Sequence, residues 1–346
     1  MTVSYPIRTE RLVIRPLAQA DLSTLREYRN DADVSRYQEW PLPVTADDVA
    51  MLVEPDPQPT EPVRGHWVQL AITLADDERS PAGLIGDLGL YLDASGSLAR
   101  VGYTLARSAQ GHGYATEAVA AIVDHLIDVL GVVRVDASTD PHNRPSMRVL
   151  ERVGFVHEHT ATDSVVVRGE LLDDERWALS ADDRRSWRSR PTGPAESVDL
   201  VQITPHTQRD VARLRTHHTQ ETMVAPVSRS FGDALFPESI DGHPVLPWLR
   251  AVHADGDLAG FVMVADVTEH HPEPYLWRLL IDRRHQGRGI GRAVIAELVD
   301  RYRPMAAALL TSYVDEPGGP GPFYAGLGFV PTGEIVDEEV ETRLRL

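Results

Sequence analysis

Apolar and polar positions change their period around residues 276–302, and this segment organises the rest of the chain. A largely apolar run from Leu276 to Ile281 has the length and composition of a buried strand. Basic residues follow, and then three glycines at alternate positions that end at Gly291. Apolar residues next recur at helical spacing, and the face they form comprises Val294, Ile295, Leu298, Val299 and Tyr302. The pattern predicts a strand, a glycine-rich turn and an amphipathic helix.

The same order of patterns occurs once before. Val101 to Ala106 predicts a strand, Gln110 to Ala115 repeats the alternate glycines, and an amphipathic helix follows. Its apolar face comprises Val119, Ile122, Val123, Leu126 and Leu130, and Gly131 stands where a helix commonly ends. A second landmark repeats at a similar distance, as Leu150 to Phe155 and as Tyr324 to Phe329. Two copies at so long an interval indicate a duplicated domain rather than a solenoid.

Shorter patterns predict the remaining elements of each half. In the first half the predicted strands are 9–16, 67–74, 83–92, 132–138 and a further strand after Phe155 that residues 165–179 complete as a hairpin. The predicted helices are 20–29, 45–52 and 143–153. In the second half the predicted elements are strands at 198–203, 249–252, 258–265, 309–313 and 339–346, with helices at 208–219 and from Phe323. Proline-rich stretches at 40–64 and 226–237 are predicted as loops. Each half is therefore α/β (α+β), a mixed, mostly antiparallel sheet flanked by helices, with a βαβ unit around the glycine turn.

A stretch without periodicity separates the two halves. Residues 188–198 contain two prolines and no recurring apolar position, which is typical of a linker. The 346 residues suit two domains, and each half is long enough to bury its own core. We therefore predict a first domain at 1–187, a linker at 188–198 and a second domain at 199–346.

The composition excludes several kinds of chemical site and partner. The chain has no cysteine and no lysine, which excludes disulfides, thiolate nucleophiles, cysteine zinc sites and phosphate loops that end in Gly-Lys. The formal net charge of −18 argues against a nucleic-acid partner and is compatible with a cationic substrate. Histidine pairs such as His217-His218 lack further ligands at helical spacing, so no metal site is expected. Because the chain has neither a bilayer-length apolar run nor a leader pattern, we expect no membrane partner and a cytoplasmic location.

The two glycine turns, residues 110–115 and 286–291, have the chemistry of an anion site. Glycine permits a tight turn that brings several main-chain N–H groups close to a ligand, and the helix that follows points its positive end the same way. Arg283, Arg284 and Arg288 are expected to add charge near a bound phosphate. A dinucleotide fingerprint normally follows the first strand of its domain, whereas each turn here follows several strands. Among the protein classes that use such a turn, transferases are therefore the remaining candidates.

With these residues in view, the chain resembles the GNAT superfamily of acyl-coenzyme A-dependent N-acetyltransferases over nearly its whole length. Gln110-Gly-His-Gly-Tyr-Ala115 and Gln286-Gly-Arg-Gly-Ile-Gly291 match the superfamily pattern Gln/Arg-x-x-Gly-x-Gly/Ala. The first half is similar to ribosomal-protein-alanine N-acetyltransferases, notably from Asn143 to Phe155. The second half is similar to diamine and polyamine acetyltransferases, notably at Gln220 to Pro226 and Phe323 to Gly333.

The resemblance implies two GNAT-type domains and a direct transfer from the co-substrate, acetyl-coenzyme A, to an amine bound at the same time. It implies that the main chain of each glycine turn holds the pyrophosphate, while the end of the preceding strand lies along pantetheine and polarises the thioester carbonyl. The coenzyme-binding residues expected in the first half are Leu105, Ala106, Gln110, Gly111, His112, Gly113, Tyr114, Ala115 and Asn143. Those expected in the second half are Leu280, Ile281, Asp282, Gln286, Gly287, Arg288, Gly289, Ile290 and Gly291.

The resemblance also supplies catalytic candidates. Tyr324 occupies the position that the family uses as general acid toward the departing thiolate, and its alternative role is that of a core aromatic. The corresponding residue in the first half, Leu150, cannot donate a proton. Ser146 is therefore the candidate acid there, with capping of its own helix as the alternative role.

Three residues depart from the family's pattern. Arg100 stands where relatives often carry an acid just before Gly-Tyr, and an arginine cannot act as general base. Asp87 or a water molecule remains a candidate base in the first half. Pro317 replaces the asparagine that many relatives place seven residues before the tyrosine, so that pantetheine contact falls to the main chain or is lost.

The combined prediction is an enzyme, an acetyl-coenzyme A-dependent N-acetyltransferase acting on the primary amine of a small cationic molecule such as a polyamine or an amine-bearing antibiotic. One alternative is acetylation of a peptide or protein N-terminus by the first domain. Another is a first domain that binds acyl-coenzyme A in a regulatory or structural role. A homodimer is a candidate assembly. The loops at 40–66 and 226–248, where acceptor recognition is expected, carry no recognisable chemistry.

Overall fold

The computed structural model describes residues 5–54, 60–75, 83–240 and 242–346. The chain divides into two compact units, Met1–Ser189 and Arg190–Leu346. Residues 55–59, which belong to the predicted loop at 40–64, lie outside the described residues. Within the described ranges, no helix combines the length and the apolar character that crossing a membrane requires.

The first unit is a sheet of eight described strands with helices packed on it. The strands are β1 (Ile7–Arg8), β2 (Leu12–Pro16), β3 (His66–Leu74), β4 (Leu84–Leu92), β5 (Leu98–Leu105), β6 (Arg134–Thr139), β7 (Val156–Val167) and β8 (Glu170–Ser180). The helices are α1 (Leu22–Arg29), α2 (Ala32–Ser35), α3 (Ala46–Ala50), α4 (Tyr114–Asp128), α5 (Arg144–Val153) and α6 (Ala181–Arg188). The strand order is β1-β2-β3-β4-β5-β6-β8-β7, antiparallel except between β5 and β6.

The second unit has a sheet of seven described strands and a separate short hairpin. The strands are β9 (Val198–Val201), β10 (Ser239–Ile240), β11 (His243–Pro244), β12 (Leu246–Ala254), β13 (Asp257–Asp266), β14 (Tyr275–Ile281), β15 (Ala308–Tyr313), β16 (Val330–Val336) and β17 (Glu339–Arg345). The helices are α7 (Gln208–Val211), α8 (Val227–Leu235), α9 (Ile290–Tyr302) and α10 (Gly321–Ala325). The order is β16-β17-β15-β14-β13-β12-β9, with only β14 and β15 parallel, and β10 pairs with β11. The predicted fold class is confirmed in both units.

The parallel pair of each sheet separates after a few residues. β5 pairs with β6 only from Leu98 to Arg100, and β14 pairs with β15 only at Tyr275 and Leu276. The remaining residues of β5 and β14 are bonded to a neighbour along one edge alone. Each sheet therefore contains a gap beside the strand that leads into its glycine turn.

The helix after each glycine turn covers one face of its sheet. Ile122, Val123 and Leu126 of α4 are completely buried in the core of the first unit. Val294 and Leu298 of α9 have the same role in the second unit. Burial of each such side chain stabilises the fold by about 1.5–3 kcal/mol. The amphipathic faces predicted from the helical spacing are confirmed.

The segment between Pro226 and Pro237 differs from the prediction because it contains a helix, α8, rather than a loop. Pro226 is the residue before the first turn of α8, and Pro237 lies just beyond its end. Proline is tolerated at both places because it removes no hydrogen bond from the helix interior. The two prolines therefore border a helix, and the loop prediction was wrong.

The helix predicted at 208–219 is reduced to α7. The chain beyond it bonds to the end of β14 instead of continuing the helix. The N–H of Arg215 donates to the Asp282 carboxylate at 3.0 Å, and the Arg215 carbonyl accepts from the N–H of Arg283 at 2.8 Å. Contacts distant in sequence thus override the local helical pattern.

Several residues of the predicted linker lie against the second unit's own glycine turn. The N–H of Ala195 donates to the Arg288 carbonyl at 3.0 Å, and the Ala195 side chain packs on the core. The N–H groups of Glu196 and Ser197 donate to Asp255 at 2.8 and 2.9 Å. This part of the chain therefore supports the turn at 286–291.

Candidate functional site

The two glycine turns have the same backbone conformation. Gly111 and Gly113 have φ values of 80° and 82°, and Gly287 and Gly289 have 77° and 80°. Residues with a side chain rarely adopt this left-handed region, so the alternate glycines are a requirement of the turn. Gly113 and Gly289 are the residues before the first turns of α4 and α9.

These turns present main-chain donors at a helix start. The first hydrogen bonds of the helices run from Glu117 N–H to Gly113 and from Ala293 N–H to Gly289, each at 3.1 Å. The N–H groups of the three residues before each of these donors have no acceptor inside their helix. Together with the positive end of the helix, they form a place for a phosphate group.

The glutamine of each turn anchors the turn to the preceding strand. Gln110 Nε2 donates to the carbonyl of Leu105 at 3.2 Å, and Gln286 Nε2 donates to the carbonyl of Ile281 at 3.0 Å. The predicted coenzyme-binding glutamines thus use their side chains to hold the turn in place. The main chain of each glutamine forms the first residue of its glycine turn.

The residues that end β5 and β14 offer fewer free groups to a ligand than the sequence predicts. The N–H groups of Ala106 and Asp282 donate to Ile85 and Ala259 at 2.9 Å, so they are not free for a ligand. The Asp282 carboxylate is bonded to the N–H groups of Arg215 and Arg284. Leu105 and Leu280 are buried, and the main chain of each pairs with the preceding strand.

The Arg288 side chain does not extend into the mouth of the second turn. Arg288 is 5% exposed. Its guanidinium donates hydrogen bonds to Asp255 at 2.5 Å, to the Gly193 carbonyl at 2.9 Å and to His285 Nδ1 at 3.1 Å. The expectation that its charge faces a bound phosphate is therefore not supported, although its main chain is part of the turn. Burial, the largest effect, lowers the pKa of His285. Because Arg288 only donates, Nδ1 of the neutral His285 ring accepts and Nε2 carries the proton.

A cavity of about 1580 Å³ in the second unit joins the glycine turn to the gap between β14 and β15. Its walls include Gln286, Gly289, Thr311 and Tyr324. Tyr324 lies on α10, is 7% exposed and packs edge-on against Phe323 and Phe329, with ring centroids at 5.1 and 5.3 Å. The ring of Tyr324 therefore belongs to the core, as its alternative role requires, and the residue also lines the cavity.

Burial raises the pKa of Tyr324 to about 12. A hydrogen bond with the Thr311 hydroxyl opposes this effect, and the Glu339 carboxylate adds to it. The phenol is therefore a stable hydrogen-bond donor at every physiological pH. In the sequence, the acidic run from Asp337 to Glu339 predicts a solvated turn before the last strand, with a position facing a cationic substrate as the alternative. Asp337 and Glu339 also line the cavity.

In the first unit, Ser146 contacts Tyr103, a residue that sequence reasoning did not select. The Tyr103 hydroxyl donates to the Ser146 carbonyl at 2.9 Å, and the two hydroxyl oxygens are 2.9 Å apart. Asn143 caps α5 by accepting from the N–H of Ser146 at 3.3 Å. The side chain of Asn143 therefore supports a helix start, and Leu150 on the same helix is completely buried in the core.

Asp87, the candidate base of the first unit, belongs to a buried hydrogen-bonded network. Its carboxylate accepts from the Tyr28 hydroxyl at 2.5 Å, from Arg29 at 2.6 Å and from Gln69. Asp87 is 2% exposed, and the Arg29 guanidinium stacks on Trp40 with its carbon 4.6 Å from the ring centre. These three donors hold the carboxylate within the network, so its oxygens are already engaged by the protein.

Comparison with known proteins agrees with this geometry. Residues 11–156 match the family model of the acetyltransferase (GNAT) domain, and residues 213–329 match that of the acetyltransferase (GNAT) family. An uncharacterized N-acetyltransferase, p20, of Bacillus licheniformis is 28% identical over 49% of this chain and 93% of its own length. The ribosomal protein uS5-alanine N-acetyltransferase of Escherichia coli is 31% identical over 24% of this chain and 43% of its own length.

Similar solved structures include an acetyltransferase of the GNAT family from Bacillus anthracis, at 22% identity with a TM-score of 0.45. Another is a spermidine N-acetyltransferase from Vibrio cholerae in complex with CoA and spermine, at 18% identity with a TM-score of 0.43. Each covers 51% of this chain and 99% of its own. The two family models, one in each unit and together most of the chain, place it among the GNAT acetyltransferases, and it is an acetyl-coenzyme A-dependent N-acetyltransferase with two GNAT domains.

Proposed function

We propose that the second unit transfers the acetyl group to the primary amine of a small cationic substrate, such as a polyamine or an amine-bearing antibiotic. The observation that carries this proposal is the place of Tyr324, whose buried phenol lies in the wall of the cavity that also contains the second glycine turn. Acidic side chains in the same wall and the net charge of −18 favour a cationic acceptor.

The reaction needs the amine in its neutral form, because an alkylammonium has a pKa of about 10 and carries no free electron pair. The amine nitrogen attacks the thioester carbonyl carbon, a C–N bond forms, and the C–S bond breaks. The departing thiolate receives a hydrogen bond from the Tyr324 hydroxyl. A free thiol has a pKa of about 8.5, well below that of Tyr324. The phenol therefore acts mainly by donating a hydrogen bond, and the nitrogen supplies the proton that finally remains on sulfur.

The test is release of coenzyme A thiol by the Tyr324→Phe variant with acetyl-coenzyme A and a panel of primary amines. A hydrogen bond to a charged group contributes about 1.5–3 kcal/mol, so we expect kcat to fall about 10- to 100-fold while coenzyme affinity, followed by calorimetry, stays the same. Tyr302→Phe is the matched control, because Tyr302 is a buried phenol of the same core outside the cavity. Unchanged thiol release in Tyr324→Phe would contradict the catalytic assignment.

For the first unit we propose coenzyme binding without rapid turnover. Its glycine turn has the same conformation as the second, which supports binding. The buried Leu150 at the position of Tyr324 and the saturated carboxylate of Asp87 favour a low rate. Acetylation of a protein N-terminus by this unit, through Ser146 and Tyr103, is the competing proposal, which the similarity to the ribosomal protein enzyme favours. Acetylation of an N-terminal alanine peptide at a rate equal to that of small amines would favour the competing proposal.

A further inference from the structure

The last hairpin of the second unit contributes carboxylates to the cavity wall. Asp337 and Glu338 form the two-residue turn between β16 and β17, with φ values of 49° and 68°. Asp337 and Glu339 line the cavity that contains Tyr324, whereas Glu338 is exposed outside it. Because side chains alternate along a strand, Glu339 and Glu341 point to one face of β17.

Glu339 is fixed in one orientation. Its Oε2 atom accepts a hydrogen bond from the Ser312 hydroxyl at 2.5 Å, and its Oε1 atom has no partner among the described residues. The neighbouring Glu341 is held differently, since its Oε2 atom accepts from Thr332 at 2.8 Å. One oxygen of a positioned carboxylate is therefore available to a ligand in the cavity.

The charge of Glu339 is not neutralised by the protein. In the described part of the chain, no basic side chain lies within ion-pair distance of Asp337, Glu339 or Glu341. The next residue on this face of β17, Arg343, pairs with Glu273 at 2.6 Å.

The other titratable groups around Glu339 include phenols, carboxylates and histidines, and the wall of the same cavity also contains Arg229, Arg278 and Arg292. The phenols, carboxylates and histidines are Tyr275, Tyr313, Tyr324, Asp337 and Glu341, with His270, His271 and Glu273 further along the cavity wall. Burial, the largest effect, raises the pKa of Tyr275, Ser312 opposes it, and Glu341, Glu339 and Asp337 raise it further. The carboxylates of Asp337 and Glu341, which act on the same phenol as Glu339, favour a cation beside Glu339.

Tyr324 and Glu339 approach the gap between β14 and β15 from opposite faces of the sheet. Adjacent residues of β15 point to opposite faces. Thr311 hydrogen-bonds with Tyr324, whereas Ser312 bonds Glu339. A hydrogen-bond donor for the leaving group and a carboxylate for the incoming amine are thereby kept apart within one cavity.

We infer that Oε1 of Glu339 binds the ammonium of the acceptor and takes its proton before the attack, an inference that rests on the proposed function. One N–H bond of the ammonium breaks and its proton moves to Oε1, which leaves the electron pair on nitrogen. The nitrogen then forms the amide bond as the C–S bond breaks, and its second proton ends on the thiol sulfur. Glu339 returns its proton to water, so one proton is released in each turnover.

The experiment compares wild type, Glu339→Gln and Glu338→Gln with ethylamine and with trifluoroethylamine, which is already neutral at neutral pH. Glutamine keeps an oxygen for the Ser312 hydrogen bond, and calorimetry with coenzyme A verifies that the cavity is intact. Glu338→Gln removes the same charge from the adjacent, exposed position. General-base catalysis contributes about 10²- to 10⁴-fold, so Glu339→Gln is expected to lose about 100-fold or more in kcat/KM with ethylamine and no more than a few-fold with trifluoroethylamine.

Equal losses with both amines, or no loss with ethylamine, would overturn the role of Glu339 while leaving the proposed function in place. A wild-type protein that releases no thiol with either amine would contradict the proposed function itself, and this inference with it. A loss in Glu338→Gln equal to that in Glu339→Gln would also overturn the inference, since it would show a general effect of charge.

Discussion

Tyr324 and Leu150 stand at the same point of the repeated landmark, and the proposed function rests on this difference between the two units. Both are buried on a helix that follows the parallel strand pair, but only Tyr324 carries a hydroxyl and lines a described cavity. Removing the phenol from water makes the protonated form more stable, so Tyr324 donates a hydrogen bond without competing as a base. Tyr324 therefore packs in the core and also places a hydrogen-bond donor in the cavity wall.

The raised pKa of Tyr324 has a consequence for the pH dependence. A phenol whose pKa is raised from 10.0 to about 12 stays protonated as the pH rises through the range in which amines lose their protons. We therefore expect kcat/KM profiles of wild type and Tyr324→Phe to run parallel between about pH 6 and pH 9, separated by a constant factor. An alkaline loss of activity near neutral pH that disappears in Tyr324→Phe would show that the phenol ionises earlier than its burial implies.

Sequence reasoning predicts a residue's role well where the backbone requires that residue. The alternate glycines at 111, 113, 287 and 289 have positive φ, which explains why the turns could be identified from the sequence. The role of Arg288 could not be predicted, because its partner Asp255 is distant in sequence. The position of Glu339 in the cavity wall could not be predicted for the same reason, since Ser312 and the cavity come from other elements.

At the scale of elements, a glycine on the strand before the parallel pair has a matching role in each unit. A Cβ atom on Gly86 would lie 2.4 Å from the Thr104 carbonyl oxygen, and one on Gly260 would lie 2.5 Å from the Leu280 carbonyl oxygen. These glycines let β4 approach β5, and β13 approach β14, at the point where the neighbouring strand separates.

We expect Gly260→Ala to destabilise the second unit by about 1–3 kcal/mol, because the added methyl group meets main chain that cannot move without shifting β14. Gly232→Ala in α8 is the matched control, since nothing lies within 4 Å of its added Cβ atom and alanine is the better helix former. Calorimetric unfolding of the full chain should show a lower transition temperature for Gly260→Ala and an equal or higher one for Gly232→Ala. A wild-type transition in Gly260→Ala would mean that β13 and β14 are less closely packed than described.

The elements that periodicity predicts are those with a long buried face, such as α4, α9, β3 and β13. The short elements depend on contacts between residues that are distant in sequence, which a local pattern does not reveal. α8 was hidden by its bordering prolines, and the helix predicted at 208–219 ends early because Arg215 bonds to Asp282 and Arg283. The exposed edge strand β16 has no buried face and left no alternating signal.

At the scale of the whole molecule, the chain contains two GNAT domains with matching glycine turns and different residues at the position of Tyr324. The duplication was evident from the repeated motifs because both copies keep the residues that the backbone requires. Their divergence lies in side chains at the gap between the parallel strands. On the strand before the parallel pair, the first unit has Asp87 and its donors, whereas the second unit has Phe261 at the matching position. Two domains of one family can therefore serve different roles within a single chain.

The most direct test of this account is thiol release with a small cationic amine by two matched variants, Gly113→Glu and Gly289→Glu. Both glycines have φ near 80°, so backbone strain is the same, and each carboxylate enters the place expected for a phosphate. We predict that each variant loses one of two coenzyme A molecules bound per chain, that Gly289→Glu loses amine-dependent thiol release, and that Gly113→Glu retains it. Loss of thiol release in Gly113→Glu together with full activity in Gly289→Glu would contradict the assignment of catalysis to the second unit.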